Sequence, residues 1–284
     1  HDKTLGFDNF LATGNGLEAI TGEFCGDDAM IYKTFPMYED KAPFALYYMT
    51  LTGHAFYNDE NYKTRRYLKR VKERYGDKYS KQVNYYLCAQ LYLEEALKLL
   101  IERLEYKNML DDTVICIVPD HYPYGLTNST LGNPFTDGTN YVNELYGMKD
   151  KELNSFERDK NAWLLWCGSL ENDDKKYAKT IDHPTFSLDV LPTLLNLFGA
   201  DYDSRLLVGN DVFSDYEHLV FDFNENFITD DAVCFSNGMR IYKSDTPLDE
   251  EKIKNIRTKV HNKILFSKFV LDNDYYNYIY SHKK

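Results

Sequence analysis

Nowhere does the chain run for the roughly 20 apolar residues that would span a bilayer, and no N-terminal signal peptide is visible. It has no surplus of positive charge: 33 Lys and Arg stand against 45 Asp and Glu, a formal net charge of −12. A nucleic-acid partner is excluded on that ground, because such affinity comes from cationic side chains displacing counterions. Direct adhesion to an anionic membrane surface is disfavoured for the same reason. Cysteine is sparse and scattered (Cys25, Cys88, Cys116, Cys167 and Cys234), with no Cys-x-x-Cys, so neither a disulfide framework nor a zinc ribbon is present. Cys116 and Cys167 lie in apolar runs and are expected to be small buried hydrophobes. Also lacking are a Gly-x-Ser-x-Gly elbow, a Walker loop, a dinucleotide glycine fingerprint and internal repeats.

What is present suits a folded α/β protein. The 284 residues are 43% hydrophobic and 27% charged, with 25 Tyr and 17 Phe; so many tyrosines suit a core rim whose hydroxyls reach polar partners. Residues 41–52, KAPFALYYMTLT, form a strand candidate too apolar for a one-sided sheet, ending in Gly53-His54. Residues 58–81 are a polar connection with some helix. Residues 82–104 form the clearest helix, with Val83, Leu87 and Leu91, then Leu93, Leu97, Leu100 and Leu104, at helical spacing. Asn108 and Asp111-Asp112 break it. Residues 113–118, TVICIV, read as a central parallel strand, and residues 162–167, AWLLWC, as a short buried one. Between them, residues 128–159 read as a long insertion on the active face. A second helix covers residues 186–198, capped by Ser187 or Thr185 and stopped by Gly199. Residues 219–223 and 239–242 are later strands, and Thr246-Pro247 opens a last helix.

Asp120-His121 follows the 113–118 strand directly. Ligands of open α/β sheets bind beyond the carboxyl ends of strands. A carboxylate beside an imidazole, held by the Tyr122-Pro123-Tyr124-Gly125 turn, offers two ligands to a divalent cation. The alternative is a turn in which Asp120 caps a backbone group and His121 is merely exposed. His54 also follows an apolar run, so two strand ends carry histidine toward one crevice. His183, in IDHPTF, reads as a rigid structural entry to the second helix. Asp27-Asp28 and Asp111-Asp112 read as caps and turns, Asp27-Asp28 opening a helix.

Three stretches together resemble the lipoteichoic acid synthase branch of the sulfatase and alkaline phosphatase superfamily: residues 46–57 (LYYMTLTGHAFY), 113–126 (TVICIVPDHYPYGL) and 183–215 (HPTFSLDVLPTLLNLFGADYDSRLLVGNDVFSD), joined by 218–229 (HLVFDFNENFIT). The resemblance implies an α/β/α sandwich with a largely parallel central sheet, its N-terminal part missing. It places that sulfatase-like domain over residues 1–245, with a helical extension over 246–284. It implies that Asp120 and His121 bind a divalent metal, manganese or magnesium with zinc as the alternative, and that His54 contacts the substrate phosphate. Relatives of this type transfer glycerol phosphate from a phospholipid head group to an envelope acceptor, on the outer face of the membrane that anchors them. Phosphoethanolamine transfer and phosphodiester or sulfate-ester hydrolysis are the neighbouring chemistries. The Cys-x-Pro-x-Arg type of motif that sulfatases require is absent.

The family's acidic ligand and threonine nucleophile lie upstream of a segment like LGFDNF, and this chain starts there, at His1 rather than Met. It is therefore expected to be an excised or processed piece, inactive or nearly so alone. Thr50, Thr52 and Thr127 match no nucleophile motif. The rival is a non-catalytic module that binds an envelope polymer.

Overall fold

Ser80 accepts a hydrogen bond from the Val83 N–H and so caps a 26-residue helix, α4 (Lys81–Tyr106), around which the first half of the chain is arranged. The helix stops at Asn108, whose φ of 54° lies in the left-handed region that Asn tolerates. A computed structural model describes residues 6–18, 26–54, 56–127, 139–148, 151–171, 179–243 and 247–281. The chain divides into two units, residues 1–178 and 179–284.

Among the described residues of the first unit, three short helices precede α4: α1 (Asp27–Thr34), α2 (Tyr62–Arg65) and α3 (Leu68–Tyr75). The most buried face of α4 carries Val83, Cys88, Ala89, Tyr92, Ala96, Leu100 and Leu104 rather than Leu93 and Leu97. Its small residues admit close neighbours. Ile31 and Phe35 pack on Ala96, Leu100 and Leu104. Tyr67 and Val71 pack on Tyr85, Cys88 and Tyr92. Gly26 is required at the start of α1, because a Cβ there would sit 1.9 Å from the Tyr92 hydroxyl.

Two strands follow, β1 (Val114–Ile117) and β2 (Leu164–Cys167). They pair antiparallel, Val114 opposite Cys167 and Ile117 opposite Leu164. The expectation of a parallel neighbour for residues 113–118 is thus corrected. The chain leaves the carboxyl end of β1 and re-enters beside that same end, so no crossover turns the second strand round. The intervening stretch holds α5 (Tyr141–Leu145) and α6 (Ser155–Asp159), and α7 (Gly168–Glu171) follows β2; residues 128–138 and 149–150 of the expected insertion lie outside the described residues. Cys116 and Cys167 are half-buried rather than buried, and Cys116 accepts a bond from the Trp163 indole N–H.

Residues 41–52 are the larger correction. They run without regular structure, because a strand exists only through a ladder and this segment pairs with no strand among the described residues. Phe44 and Tyr48 pack against the α1–α4 core, while Tyr47 and Met49 are 74% and 75% exposed. The segment's end is fixed by Asp27, which is 2% exposed and accepts the N–H groups of Leu51 (2.8 Å) and Thr52 (3.1 Å). The helix start expected at Asp27-Asp28 is observed, but its cap is Gly26 with no side-chain bond, and the Asp27 carboxylate serves this distant segment instead of its own turn.

In the second unit, a 3-10 turn (Ser187–Asp189) leads into α8 (Val190–Leu197), ended by Gly199 at φ 63°. The entry is capped by Asp189, not by Ser187 or Thr185: its buried carboxylate accepts the N–H groups of Phe186 (3.0 Å) and Asn210 (2.8 Å). An antiparallel meander follows, β3 (Val220–Phe221), β4 (Phe227–Ile228), β5 (Ala232–Cys234) and β6 (Arg240–Tyr242). Then come α9 (Glu250–Asp272), capped by Asp249, and α10 (Tyr275–Ser281). Thr246, the expected cap, lies outside the described residues. Phe227, Ala232 and Cys234 share one core with Ile253, Ile256 and Val260 of α9, so the expected division at residue 245 runs through this second unit.

Candidate metal centre

Beyond β1 the chain enters a turn that its own residues close. Pro123 sits at φ −74° and ψ 69°, the inverse γ-turn, and the Tyr124 N–H donates to the Tyr122 carbonyl at 2.7 Å. A 3-10 turn (Tyr124–Leu126) follows directly, and Leu126, 1% exposed, drops into a core with Val83, Tyr141 and Val142. Arg158 lies over the Tyr122 ring, 4.8 Å from its centroid. The apolar anchor and the proline together hold the mouth of the strand in one shape.

On that turn, Asp120 Oδ2 and His121 Nε2 are 3.2 Å apart, with side chains 84% and 43% exposed respectively. Two ligands bonded to one cation at roughly 2.1 Å would subtend about 100° at that separation, between octahedral and tetrahedral values. The pair therefore fits two coordination positions of one divalent ion. Among the described residues no group of three or more His, Cys, Asp or Glu is placed to hold a metal. His121 Nδ1 lies 2.8 Å from the Tyr122 carbonyl oxygen, which can only accept, so Nδ1 carries a hydrogen. Nε2 is left as the nitrogen that can ligate.

His54 closes a turn of its own, its N–H donating to the Leu51 carbonyl at 3.0 Å. Tyr57 packs against the same core as Leu126 and Tyr122. Its hydroxyl donates to the Gly53 carbonyl at 2.8 Å, and its pKa is raised by burial first and then by Tyr86, Tyr124 and Asp120. Tyr57 and Tyr124 carried no signal in the sequence beyond being aromatic neighbours of histidines.

Two of the three threonines have partners of their own. Thr52 Oγ1 accepts the Asp27 N–H, and the buried Thr127 donates from Oγ1 to the Tyr124 carbonyl at 2.7 Å. Within the second unit, His183 stacks on His218 with ring centroids 3.5 Å apart, and His218 Nδ1 lies 2.6 Å from Asp230. Burial pushes the Asp189 carboxyl above the usual carboxylate range, only partly offset by the Asn210 and Phe186 backbone donors and by the charges of Lys263 and His183.

A family model described as Sulfatase matches residues 1–200. Lipoteichoic acid synthase of Staphylococcus aureus strain USA300 is 29% identical over 261 residues, covering 88% of this chain and 36% of that protein; the synthase of strain NCTC 8325 gives the same figures. This chain thus spans about a third of the length of those curated relatives. Among solved structures, the lipoteichoic acid synthase LtaP from Listeria monocytogenes superposes with a TM-score of 0.66 at 16% identity, over 95% of this chain and 65% of that one. The architecture shared with LtaP is the sulfatase-like α/β fold.

Proposed function

The chain belongs to the sulfatase family, and from that membership we propose that it is the metal-holding part of a phosphotransferase resembling lipoteichoic acid synthase. The observation that carries this reading is the 3.2 Å approach of Asp120 Oδ2 to His121 Nε2 at the carboxyl end of β1. Asp120 supplies an anionic oxygen and His121 its Nε2 to a divalent cation, manganese or magnesium with zinc as the alternative. When bound, such an ion stabilises charge on the oxygens of a transferring phosphoryl group. His54 contacts an oxygen of the phosphate. The resemblance also implies further ligands and a threonine nucleophile, and Thr50, Thr52 and Thr127 match no such motif.

The substrate under this reading is a phospholipid head group, with glycerol phosphate passed to an envelope polymer, on the outer face of a membrane-anchored parent. No helix among the described residues is long and apolar enough to cross a membrane. Calorimetric titration of manganese into this chain and into Asp120→Ala tests the assignment. Weak binding by the wild type, reduced at least roughly tenfold by the substitution, is expected for a site short of ligands. Tight binding that ignores the loss of Asp120 would remove the pair from the site.

A further inference from the structure

We propose that Tyr124 is a positioning residue for His121: its ring and the Tyr122 carbonyl together hold the imidazole so that Nε2 faces Asp120. The ring centroids of His121 and Tyr124 are 4.4 Å apart at 42°, while Nδ1 is bonded on the other side to the Tyr122 oxygen at 2.8 Å. That oxygen also accepts the Tyr124 N–H at 2.7 Å, so one carbonyl ties the imidazole and the aromatic residue to the same γ-turn. Tyr124 is itself held from below, because its carbonyl accepts both the N–H (2.9 Å) and the Oγ1 hydroxyl (2.7 Å) of Thr127. Thr127 and the adjacent Leu126 are buried.

The physical consequence concerns freedom of rotation. An exposed imidazole samples several rotamers and both neutral tautomers, and only one combination presents Nε2 to a ligand shared with Asp120. A ring packed on one face and a carbonyl at Nδ1 remove most of the alternatives before any ligand arrives. Metal-bound histidines are commonly oriented in this way by an acceptor at their second nitrogen. Here an aromatic face is added to that acceptor, supplied from three residues along the same turn.

The inference rests on the metal reading for its affinity arm and is independent of it for its tautomer arm. Long-range proton–nitrogen correlation on chain labelled in histidine nitrogen, at about pH 8.5 where an ordinary imidazole is neutral, reads the His121 tautomer, assigned with His121→Gln. The wild type and Tyr124→Phe are expected to show the Nδ1–H form, and Tyr124→Ala a mixture with the Nε2–H form. Manganese affinity is expected to fall roughly tenfold in Tyr124→Ala and to stay within about twofold in Tyr124→Phe. A wild type dominated by the Nε2–H form, or Tyr124→Ala matching the wild type in both readouts, overturns the proposal. So does Tyr124→Phe failing as badly as Tyr124→Ala, since the ring would then not be the agent. If the wild type binds no manganese, the metal reading fails while the tautomer still decides the role of Tyr124. Should Tyr124→Ala not fold, Tyr124→Leu keeps apolar volume without the ring and takes its place.

Discussion

Two apolar runs in the first unit each deliver a histidine to a turn, and they fold differently. Residues 113–118 enter β1 because β2 lies beside them, and the following turn is pinned by Pro123 and by Leu126 in the core. Residues 41–52 are also largely apolar, yet no ladder forms along them among the described residues, and several of their side chains face outward. Asp27 takes over at the end, its carboxylate holding the last two amides before Gly53-His54. An apolar pattern states where a strand could be; a neighbour with free N–H and C=O groups decides whether it is one. The two histidines are therefore held by different forces, one by a hydrophobic anchor and a proline turn, the other by a buried charge.

Removing each anchor in turn would separate the two. Asp27→Ala leaves the Leu51 and Thr52 amides without their charged acceptor, and bonds to charged groups contribute about 1.5–3 kcal/mol each. A loss of about 4 kcal/mol is expected in denaturant unfolding, with hydrogen exchange rising first at residues 51 and 52. Exchange rising equally across residues 121–124 would show that the two turns are one cooperative unit and would break the comparison. Leu126→Ala acts on the other side. Truncating a fully buried leucine costs about 3 kcal/mol through lost transfer energy and the cavity left behind. Protection should then fall at residues 124–127 while residues 51 and 52 keep theirs. A cost under about 1 kcal/mol would mean that the proline turn, not the apolar anchor, sets the geometry beside His121.

How much of this was legible follows from the same contrast. Helix α4, the helix start at Asp27, strand β1 and the stop at Gly199 could be read because local periodicity, caps and glycine act over a few residues. The antiparallel pairing of β1 could not, since direction depends on where a segment some 45 residues away returns. On α4 the leucine stripe pointed near the buried face but missed its centre, where Ala96 and Cys88 let α1 and α3 come close. At the candidate site, Asp120, His121 and His54 stood out by following apolar runs. Tyr57, Tyr124 and the Asp27 carboxylate did not, because their roles exist only through contacts distant in sequence or across a turn.

The smallest expected effect is the sharpest check on the outward-facing side of residues 41–52. Tyr47 and Met49 are 74% and 75% exposed, and Leu46 and Leu51 are exposed beside them. A side chain that stays in water gives little when removed, so Met49→Ser should change unfolding free energy by less than about 0.5 kcal/mol. Tyr48, between Tyr47 and Met49, faces inward instead, its hydroxyl 2.6 Å from Thr34 Oγ1 and 3.1 Å from the Tyr38 hydroxyl. It is the internal control: Tyr48→Phe should cost about 1 kcal/mol, the ordinary worth of a buried hydrogen bond. If Met49→Ser instead costs more than Tyr48→Phe, and does so increasingly as protein concentration rises, the outer side is covered in solution by a second copy. Residues 41–52 would then have found in another molecule the neighbour that β1 finds in β2, and the contrast between the two runs would be one of partner rather than of pattern.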